Sequence, residues 1–395
     1  MNAWDSPLGY KYATASAGFR ENGRRDLALA LSERPAATAA LFTSNRFNAA
    51  PVRVARGLLA AGGRFRAVLF NAGQANAGTG GQGEEDCRET LRLAAAAAGL
   101  NPEEILPAST GIIGDRLNLS LWERTMPALA ADLGKSSPED FAGAIMTTDR
   151  FPKIARAEVR LAGGVARLCG MAKGAGMICP NMATMLALLL CDAEVEEDLW
   201  KRLTAEAVRL SFNRVSVDGD TSTNDTLYAL ANGASGVRAR ADEASVLQES
   251  MTEILSRLAY MLVEDGEGAT KVIHVRVSGA PSDADAEKAA RSIGNSQLVK
   301  TAMYGQDANW GRIIAALGRS GAEFLPEEAR LAFGGLEVFR NGMSCMSEDD
   351  PALAESLKGR DIFLDLSLGG GRGSYTLLAS DLTHKYIDIN AEYRS

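Results

Sequence analysis

The chain has 395 residues, of which 46% are hydrophobic and 23% charged, and its formal net charge is -8. Its length exceeds the roughly 250 to 300 residues at which one hydrophobic core usually stops growing, so we expect two domains. Nucleic acids and anionic membranes are bound through an excess of lysine and arginine, so the negative balance argues against both partners.

The cysteines and histidines exclude several common kinds of site. Five cysteines are widely spaced and form no CxxC pair, which favours reduced thiols in a cytoplasmic protein over a disulfide framework or a zinc site. His274 and His384 are the only histidines, too few for a histidine-built metal centre, so we expect no metal. The longest apolar stretch, residues 182–191, is much shorter than the roughly 20 residues that a membrane-spanning helix needs.

Strand-like and helical segments alternate along the chain, which predicts an α/β fold. An apolar run at residues 68–70 leads into a Gly-Asn loop and precedes a helix over residues 84–98 that Gly99 would end. The segments NPEE at residues 101–104 and SPED at residues 137–140 each combine a capping residue, a first-turn proline and acidic side chains. Both therefore predict helix starts.

A glycine-rich turn at residues 173–185 places the lone hydroxyl of Thr184 just before an apolar run. Attack of this hydroxyl on the carbonyl of the small residue Ala183 would cut the chain and leave a free amine on Thr184. Such an amine has an unperturbed pKa of about 7.7 to 8.0 and could act as the base for the same hydroxyl. We therefore predict a nucleophile at Thr184, although these residues alone fit a buried threonine bonded to a carbonyl better.

The second half of the chain predicts one long helix and a smaller terminal unit. Apolar residues recur at spacings of three and four over residues 242–263, which indicates the longest helix. An alternating strand at residues 271–277 follows, and the linker-like SGAPSD at residues 278–283 places a domain boundary near residue 280. Beyond it, the pattern predicts helices at residues 286–293 and 310–317 and strands at residues 335–339, 361–366 and 386–390.

The glycine-rich segments do not match phosphate-binding loops. Residues 174–176 lack the third glycine of a dinucleotide fingerprint, and GxxxxGK[ST] does not occur in the sequence, so we expect no nucleotide cofactor. Glycine N–H groups also suit the developing negative charge of an acyl-transfer intermediate. Thr110 and Gly111 are such a candidate, in a segment whose pattern alone indicates a turn.

Motifs across nearly the whole chain resemble the ornithine acetyltransferase family, also called glutamate N-acetyltransferase or ArgJ. The most specific are KGAGMICPNMATM at residues 173–185, VDGDTSTNDT at 217–226, EGATK at 267–271, NWGR at 309–312 and INAEYRS at 389–395. Further matches are GRRDLAL at residues 23–29, FTSNR at 42–46, NAGQANA at 71–77, STG at 109–111 and MTTD at 146–149.

The resemblance implies an αββα sandwich like that of the N-terminal-nucleophile hydrolases. It places the αββα core at residues 1–280 and a smaller α+β domain, whose tail returns to the site, at residues 281–395. It also implies self-cleavage between Ala183 and Thr184 into an α chain of residues 1–183 and a β chain of residues 184–395, which assemble as an α2β2 heterotetramer.

In this family an acetyl group passes from N2-acetyl-L-ornithine to L-glutamate by a ping-pong mechanism through an ester on the threonine. No cofactor is implied, although some members also accept acetyl-CoA as donor, which the sequence leaves open. Carried over by motif, Thr110 and Gly111 form the oxyanion hole. The implied substrate-binding residues are Thr147, Lys173, Thr184, Glu267, Asn390 and Ser395, the last replacing the threonine that family members commonly have.

Two other functions are compatible with these features. A self-processing N-terminal-nucleophile aminopeptidase or amidase would use water as the final acceptor, and an uncleaved binding protein would need no nucleophile. Lys173 and Glu267 have the charges that an α-amino acid acceptor needs, which favours transfer over hydrolysis. The joint presence of Thr184, Thr110 and Gly111 argues against a binding protein.

Overall fold

The computed structural model describes residues 6–20, 23–179, 185–345 and 350–392. In chain order its strands are β1 (Tyr10–Ala15), β2 (Leu27–Ser32), β3 (Ala37–Phe42), β4 (Ala67–Gln74), β5 (Ile105–Ile112), β6 (Lys153–Leu161), β7 (Gly164–Lys173), β8 (Leu186–Cys191), β9 (Val215–Ser216), β10 (Thr226–Ala231), β11 (Val272–Ala280), β12 (Arg330–Phe333), β13 (Leu336–Arg340), β14 (Met343–Ser344), β15 (Asp361–Ser367) and β16 (Gly373–Ser380). Its α-helices are α1 (Ala50–Ala60), α2 (Gly80–Ala98), α3 (Leu119–Asp132), α4 (Pro138–Ala144), α5 (Glu197–Leu210), α6 (Ala244–Glu264), α7 (Asp283–Gly294), α8 (Gln297–Tyr304), α9 (Trp310–Gly318), α10 (Pro351–Ser356) and α11 (His384–Glu392).

Two sheets face each other in the first part of the chain. The four-stranded sheet has the order β1-β2-β4-β5, and the five-stranded sheet has the order β3-β10-β8-β7-β6. Strand side chains alternate between faces, so Leu186, Leu188 and Leu190 of β8 join the core between the sheets, while Leu189 joins the core on the other face. Both faces of this central strand are covered, which explains why it is apolar throughout.

Helices cover the outer faces of both sheets. On the four-stranded sheet, Leu91 of α2 and Trp122 of α3 share a core with Leu69 of β4. On the five-stranded sheet, Leu255 of α6 shares a core with Leu189 of β8. The layers therefore follow the order helix, sheet, sheet, helix, and the predicted αββα sandwich is confirmed.

A seven-stranded sheet with the order β14-β13-β12-β15-β11-β16-β9 has a separate core in the C-terminal part of the chain. Its strand β11 pairs in parallel with β15 and antiparallel with β16. The predicted boundary at residue 280 thus falls at the end of a strand that belongs to this sheet, and a boundary before Val272 agrees better with the pairing. The division into two domains stays a prediction.

Several predicted helices are found where capping and periodicity indicate them. The helix α2 ends at Gly99, which adopts the left-handed conformation with φ +69°. The side chain of Ser137 accepts the N–H of Asp140 in a capping box at the start of α4. The longest predicted helix corresponds to α6, with 21 residues. Within the described residues, none of the helices is long and apolar enough to cross a bilayer.

Two local predictions are wrong. The segment at residues 101–104 has its cap and first-turn proline, yet the chain makes only the single 3-10 turn Pro102–Glu104 before it enters β5. The strand predicted at residues 386–390 is part of the helix α11, in which no described residue is buried. A helix without a buried face does not repeat apolar residues at spacings of three and four. Ile387 and Ile389 alternate with polar neighbours, a pattern that is typical of a strand and therefore led to the wrong prediction.

Candidate active site

The candidate site is a cleft at one end of the sandwich, where β5 and β7 end and β8 and β10 begin. Lys173, the last residue of β7, pairs with Leu186 at the start of β8, and Thr226 of β10 pairs with the same leucine from the other side. Six residues predicted from the sequence line this cleft: Thr110, Gly111, Thr147, Lys173, Glu267 and Asn390.

Three predicted residues, Ala183, Thr184 and Ser395, lie outside the described residues. The residue that follows Thr184 in the chain, Met185, is described and lines the cleft. Its carbonyl oxygen accepts the N–H of Thr226 at 2.9 Å, which fixes the start of β8 against β10.

Lys173 is buried and joins two hydroxyl groups. Its Nζ donates to Oγ1 of Thr110 at 3.1 Å and to Oγ1 of Thr147 at 2.8 Å. An ammonium group only donates, so both threonine oxygens are acceptors here, and their own hydroxyl protons stay available for another partner. Burial lowers the pKa of Lys173, while the negative charge of Asp149 opposes this shift.

A buried ion-pair network supports the turn after β7. Oδ1 of Asp149 accepts the Nζ of Lys153 and the N–H of Gly174, both at 2.6 Å. The same Nζ donates to Oδ2 of Asp265 at 2.5 Å. Burial would raise the pKa of Asp149, but the charges of Lys153 and Lys173 hold that pKa well below its usual range. The ionised carboxylate therefore ties the turn at Gly174 to the body of the protein through Lys153.

Gly111 lies where the end of β5 approaches the backbone of β4. Its φ is +131°, and a Cβ atom at this position would lie 2.1 Å from the carbonyl carbon of Gly73. Only glycine fits this place, because a side chain would collide with backbone atoms. The segment whose pattern alone indicates a turn is thus the end of a paired strand, in which Thr110 lies beside Ala72.

Glu267 and Asn390 meet on the C-terminal side of the cleft. Nδ2 of Asn390, in α11, donates to Oε2 of Glu267 at 2.8 Å. The N–H of Glu267 bonds to the carbonyl of Ala175 at 2.9 Å. Gly176 passes so close that a Cβ there would lie 2.5 Å from the Glu267 carboxyl carbon. The last described helix therefore reaches the cleft and contacts one of its carboxylates.

Two aspartates of the VDGDTSTNDT motif lie at the site, although the sequence assigned them no role. Asp225 lines the cleft, is 2% exposed, and its Oδ2 has no hydrogen-bond partner among the described residues. Asp218 accepts the N–H groups of Met177 at 2.6 Å and Ile178 at 2.9 Å, close to the start of the undescribed segment. The high proportion of short polar residues in this motif is the sequence feature that could have pointed to these two aspartates.

The histidines lie away from this cleft. His274 pairs through Nε2 with Asp361 at 2.7 Å, and Nδ1 of His384 is 3.5 Å from the hydroxyl of Tyr304. In the parts of the chain that the structure describes, there is no group of three or more His, Cys, Asp and Glu side chains that could hold a metal ion.

The fold and the site define an αββα sandwich with a polar, half-buried cleft where strands of both sheets meet. The chain belongs to the ArgJ family, whose model matches residues 11–395. It is 58% identical over 390 residues to the arginine biosynthesis bifunctional protein ArgJ of Nitratidesulfovibrio vulgaris, with 99% of each chain covered. The protein of the same name from Chlorobaculum tepidum is 45% identical over 391 residues, with 98% of this chain and 96% of that one covered. The crystal structure of an ArgJ from Bacillus halodurans is similar with a TM-score of 0.51 and 36% identity, covering 53% of this chain and 100% of that one.

Proposed function

We propose that the protein is a self-processing acetyltransferase of arginine biosynthesis. The chain cuts itself between Ala183 and Thr184, and the new N-terminal threonine accepts the acetyl group of N2-acetyl-L-ornithine. L-Ornithine leaves, and the acetyl ester on Thr184 then passes its acetyl group to L-glutamate, giving N-acetyl-L-glutamate.

The observation that carries this proposal is the convergence of groups from distant parts of the chain beside Met185. Thr110, Lys173 and Glu267 come from β5, β7 and the loop after α6, yet they line one cleft. Thr184 directly precedes Met185 in the chain. A nucleophile there would have a cation, a carboxylate and hydroxyl donors within one site, which is what acyl transfer between amino acids requires.

The contacts of the described residues support separate roles for each group. Thr110 accepts from Lys173, so its hydroxyl proton is free to donate to the oxygen of a tetrahedral intermediate, together with the N–H of Gly111. Thr147 is held by the same lysine in the same way. The remaining proton of Lys173 suits a substrate carboxylate, and Glu267 suits the ammonium group of ornithine or glutamate.

The comparisons support self-cleavage of the chain and the use of a second acetyl donor. The relatives carry the word bifunctional in their names, which favours acetyl-CoA as an additional acetyl donor for glutamate. The whole of the Bacillus halodurans chain is matched by 53% of this chain. The segment from residue 184 to residue 395 makes up a similar fraction of the sequence. We further propose that the two processed chains form an α2β2 heterotetramer and that the reaction needs no cofactor other than acetyl-CoA as a co-substrate.

The test is an intact-mass measurement of the purified protein under denaturing conditions, followed by transfer assays on the same sample. We expect two chains, one beginning at Thr184, and acetyl transfer from N2-acetylornithine to glutamate. Acetyl-CoA is then offered as the donor in place of acetylornithine. A Thr184→Ala variant should stay as one chain without transfer activity. An uncut, inactive wild-type chain would contradict the proposal, and hydrolysis of acetylornithine without transfer would favour an amidase.

A further inference from the structure

Thr147 is held in the cleft through its backbone as well as its hydroxyl group. Its N–H donates to Oδ2 of Asp149 at 2.9 Å. On the other side, the guanidinium of Arg20 donates through Nη1 to the carbonyl of Met146 at 2.5 Å and through Nη2 to the carbonyl of Thr147 at 3.0 Å. The segment between α4 and β6 that carries Thr147 is neither helix nor strand, so contacts of this kind determine where it lies.

A buried carboxylate fixes the loop from which Arg20 projects. Asp26 is fully buried, and its side chain accepts the N–H groups of four consecutive residues, 17–20, at 2.6 to 3.2 Å. Successive backbone N–H groups that converge on an anion form a nest. The backbone of Asp26 bonds in turn to Ala15 of β1 at 3.0 Å and to Ala72 of β4 at 2.9 Å. The loop is therefore attached to the four-stranded sheet, and the side chain of Arg20 starts from a fixed backbone.

This loop lies at the cleft end of the four-stranded sheet. A Cβ atom at Gly73, near the end of β4, would lie 2.8 Å from the carbonyl oxygen of Phe19. Gly73 also pairs with Gly111, which lines the cleft. Arg20 thus joins the sheet that carries Gly111 to the separate segment that carries Thr147. Such a link matters because the groups of a catalytic site must be held to within about 0.5 Å of their productive positions.

We propose that Arg20 is a positioning residue of the transfer reaction. It is not among the described residues that line the cleft, and it acts through the two carbonyl groups that it binds. Its guanidinium holds the backbone of Thr147 so that the hydroxyl lies where a substrate can bind to it. Lys173 alone would still bond to that hydroxyl, but its flexible side chain does not fix the position of the backbone. This inference rests on the proposed function, in which Thr147 binds substrate.

A double-mutant cycle tests whether Arg20 acts through the Thr147 hydroxyl. Arg20→Gln removes the guanidinium, Thr147→Val removes the hydroxyl and keeps the shape of the side chain, and a third protein carries both changes. The value of kcat/KM for acetyl transfer from N2-acetylornithine to glutamate is measured per cut chain, after intact mass has given the fraction that is cut. Calorimetry of L-ornithine binding to the same proteins provides a readout that does not depend on turnover.

We expect Arg20→Gln alone to lower kcat/KM by roughly 10- to 100-fold, because small displacements of a substrate-positioning group have effects of this size. In the Thr147→Val background the same substitution should change kcat/KM by less than about 3-fold, since the group that Arg20 positions is already gone. The affinity for L-ornithine should follow the same pattern. Arg20→Lys keeps the positive charge but not the forked geometry, so its loss should be intermediate.

Arg66→Gln is the matched control. Arg66 is also half-buried, and its guanidinium likewise donates to two consecutive carbonyl groups, those of Ser32 at 3.3 Å and Glu33 at 3.2 Å. It directly precedes β4, at the end of the four-stranded sheet opposite to the cleft. This variant should therefore keep the wild-type kcat/KM. A thermal melt of each variant verifies that it is folded.

The outcomes distinguish this inference from the proposed function. A wild-type protein without transfer activity contradicts the proposed function and, with it, this inference. An active wild type together with an Arg20→Gln variant of equal kcat/KM overturns the role of Arg20 alone. The same fold-loss with and without the Thr147 hydroxyl also overturns it, because the effect would then be structural. If Arg20→Gln does not fold, the cycle is run with Arg20→Lys, and if Thr147→Val has no turnover, the L-ornithine affinities decide by the same criterion.

Discussion

Lys173 acts at the residue scale by fixing two hydroxyls through one ammonium group. Charge-assisted hydrogen bonds of this kind contribute about 1.5 to 3 kcal/mol each. The substitution Lys173→Met keeps much of the side-chain volume but removes both bonds to Thr110 and Thr147. We therefore expect kcat/KM for acetyl transfer to fall by roughly 10- to 100-fold or more, from the loss of at least one such bond.

Steady-state kinetics with N2-acetylornithine and glutamate measure this effect, after intact mass has established how much of the variant is cut. The control is Lys201→Met on α5, where a half-exposed ammonium pairs with Glu197. Surface pairs contribute little, so this variant should keep wild-type kinetics. If the processed Lys173→Met variant kept wild-type kinetics, this result would contradict a role for Lys173 in the site.

Asp225 shows, at the same scale, how a buried carboxyl group opposes stability. An unfolded aspartate has a pKa of about 3.9, whereas burial raises the pKa of Asp225 in the folded protein. Above pH of about 4 the unfolded chain releases this proton more readily than the folded protein. The free energy of unfolding therefore falls as pH rises from there through the folded pKa. Asp225→Asn cannot ionise and should avoid this loss.

We expect the Asp225→Asn variant to be more stable than the wild-type protein at neutral pH by on the order of 1 to 3 kcal/mol, because a buried charge costs more than a buried neutral amide. Urea unfolding at several pH values measures this difference, in a Thr184→Ala background so that both proteins stay single chains. Asp242→Asn, at an exposed position, should follow the curve of the Thr184→Ala background. Equal stability with and without the Asp225→Asn substitution across the pH range would contradict the buried-charge argument.

At the scale of elements, predictions succeeded where local sequence determines the backbone. The left-handed glycine that ends α2 and the capping box that starts α4 act within a few residues, so the sequence alone indicated both. The segment at residues 101–104 has the same signals, but parallel pairing of β5 with β4 over eight residues outweighs them. The helix α11 was missed because its position depends on contacts with a distant loop rather than on a buried face.

That contact between α11 and the loop after α6 can be tested at Gly268. This glycine has φ +69°, and a Cβ there would lie 2.7 Å from the backbone nitrogen of Tyr386 in the first turn of α11. Gly268→Ala should therefore displace α11 and move Asn390 away from Glu267. We expect kcat/KM for transfer to fall about 10-fold, as expected for the loss of one well-placed hydrogen bond of about 1.4 kcal/mol.

Gly236→Ala provides the matched control for this substitution. Gly236 has a nearly equal φ of +72°, but a Cβ there would have no heavy atom within 4 Å. Both variants carry the left-handed strain of about 1 to 2 kcal/mol, so a thermal melt should show a loss of stability in each. Only Gly268→Ala should lose transfer activity, and equal activity losses in the two variants would show that strain, not helix displacement, is responsible.

At the scale of the whole molecule, the site could not have been located from patterns along the chain. Lys173, Glu267 and Asn390 are far apart in sequence and meet only because both sheets and α11 end at one cleft. Periodicity identifies strands and helices but not which ends meet. The family resemblance named these residues, whereas the partnerless oxygen of Asp225 and the buried pair of Lys153 with Asp149 emerged only from packing of the described residues.

The five-stranded sheet also determines what happens to the molecule after a cut before Thr184. Its strands β3, β6 and β7 precede the cut and β8 and β10 follow it, so the ladders β7–β8 and β3–β10 each join the two pieces. The buried cores on both faces of that sheet likewise contain residues from both sides of the cut. Obligate interfaces of this kind resemble a domain core cut in half and do not dissociate on dilution.

We therefore expect the processed chains to remain together under native conditions and to separate only in denaturant. Native mass spectrometry and size-exclusion chromatography at decreasing protein concentration measure this, and the uncut Thr184→Ala variant provides the reference mass. The processed protein should match that mass, or an integral multiple of it if the units pair into a heterotetramer, apart from the small increase due to the water added by hydrolysis and to threonine in place of alanine. Free α or β chains at nanomolar concentration would contradict a shared sheet, because each lone piece would expose unpaired strand edges and half of a core to water.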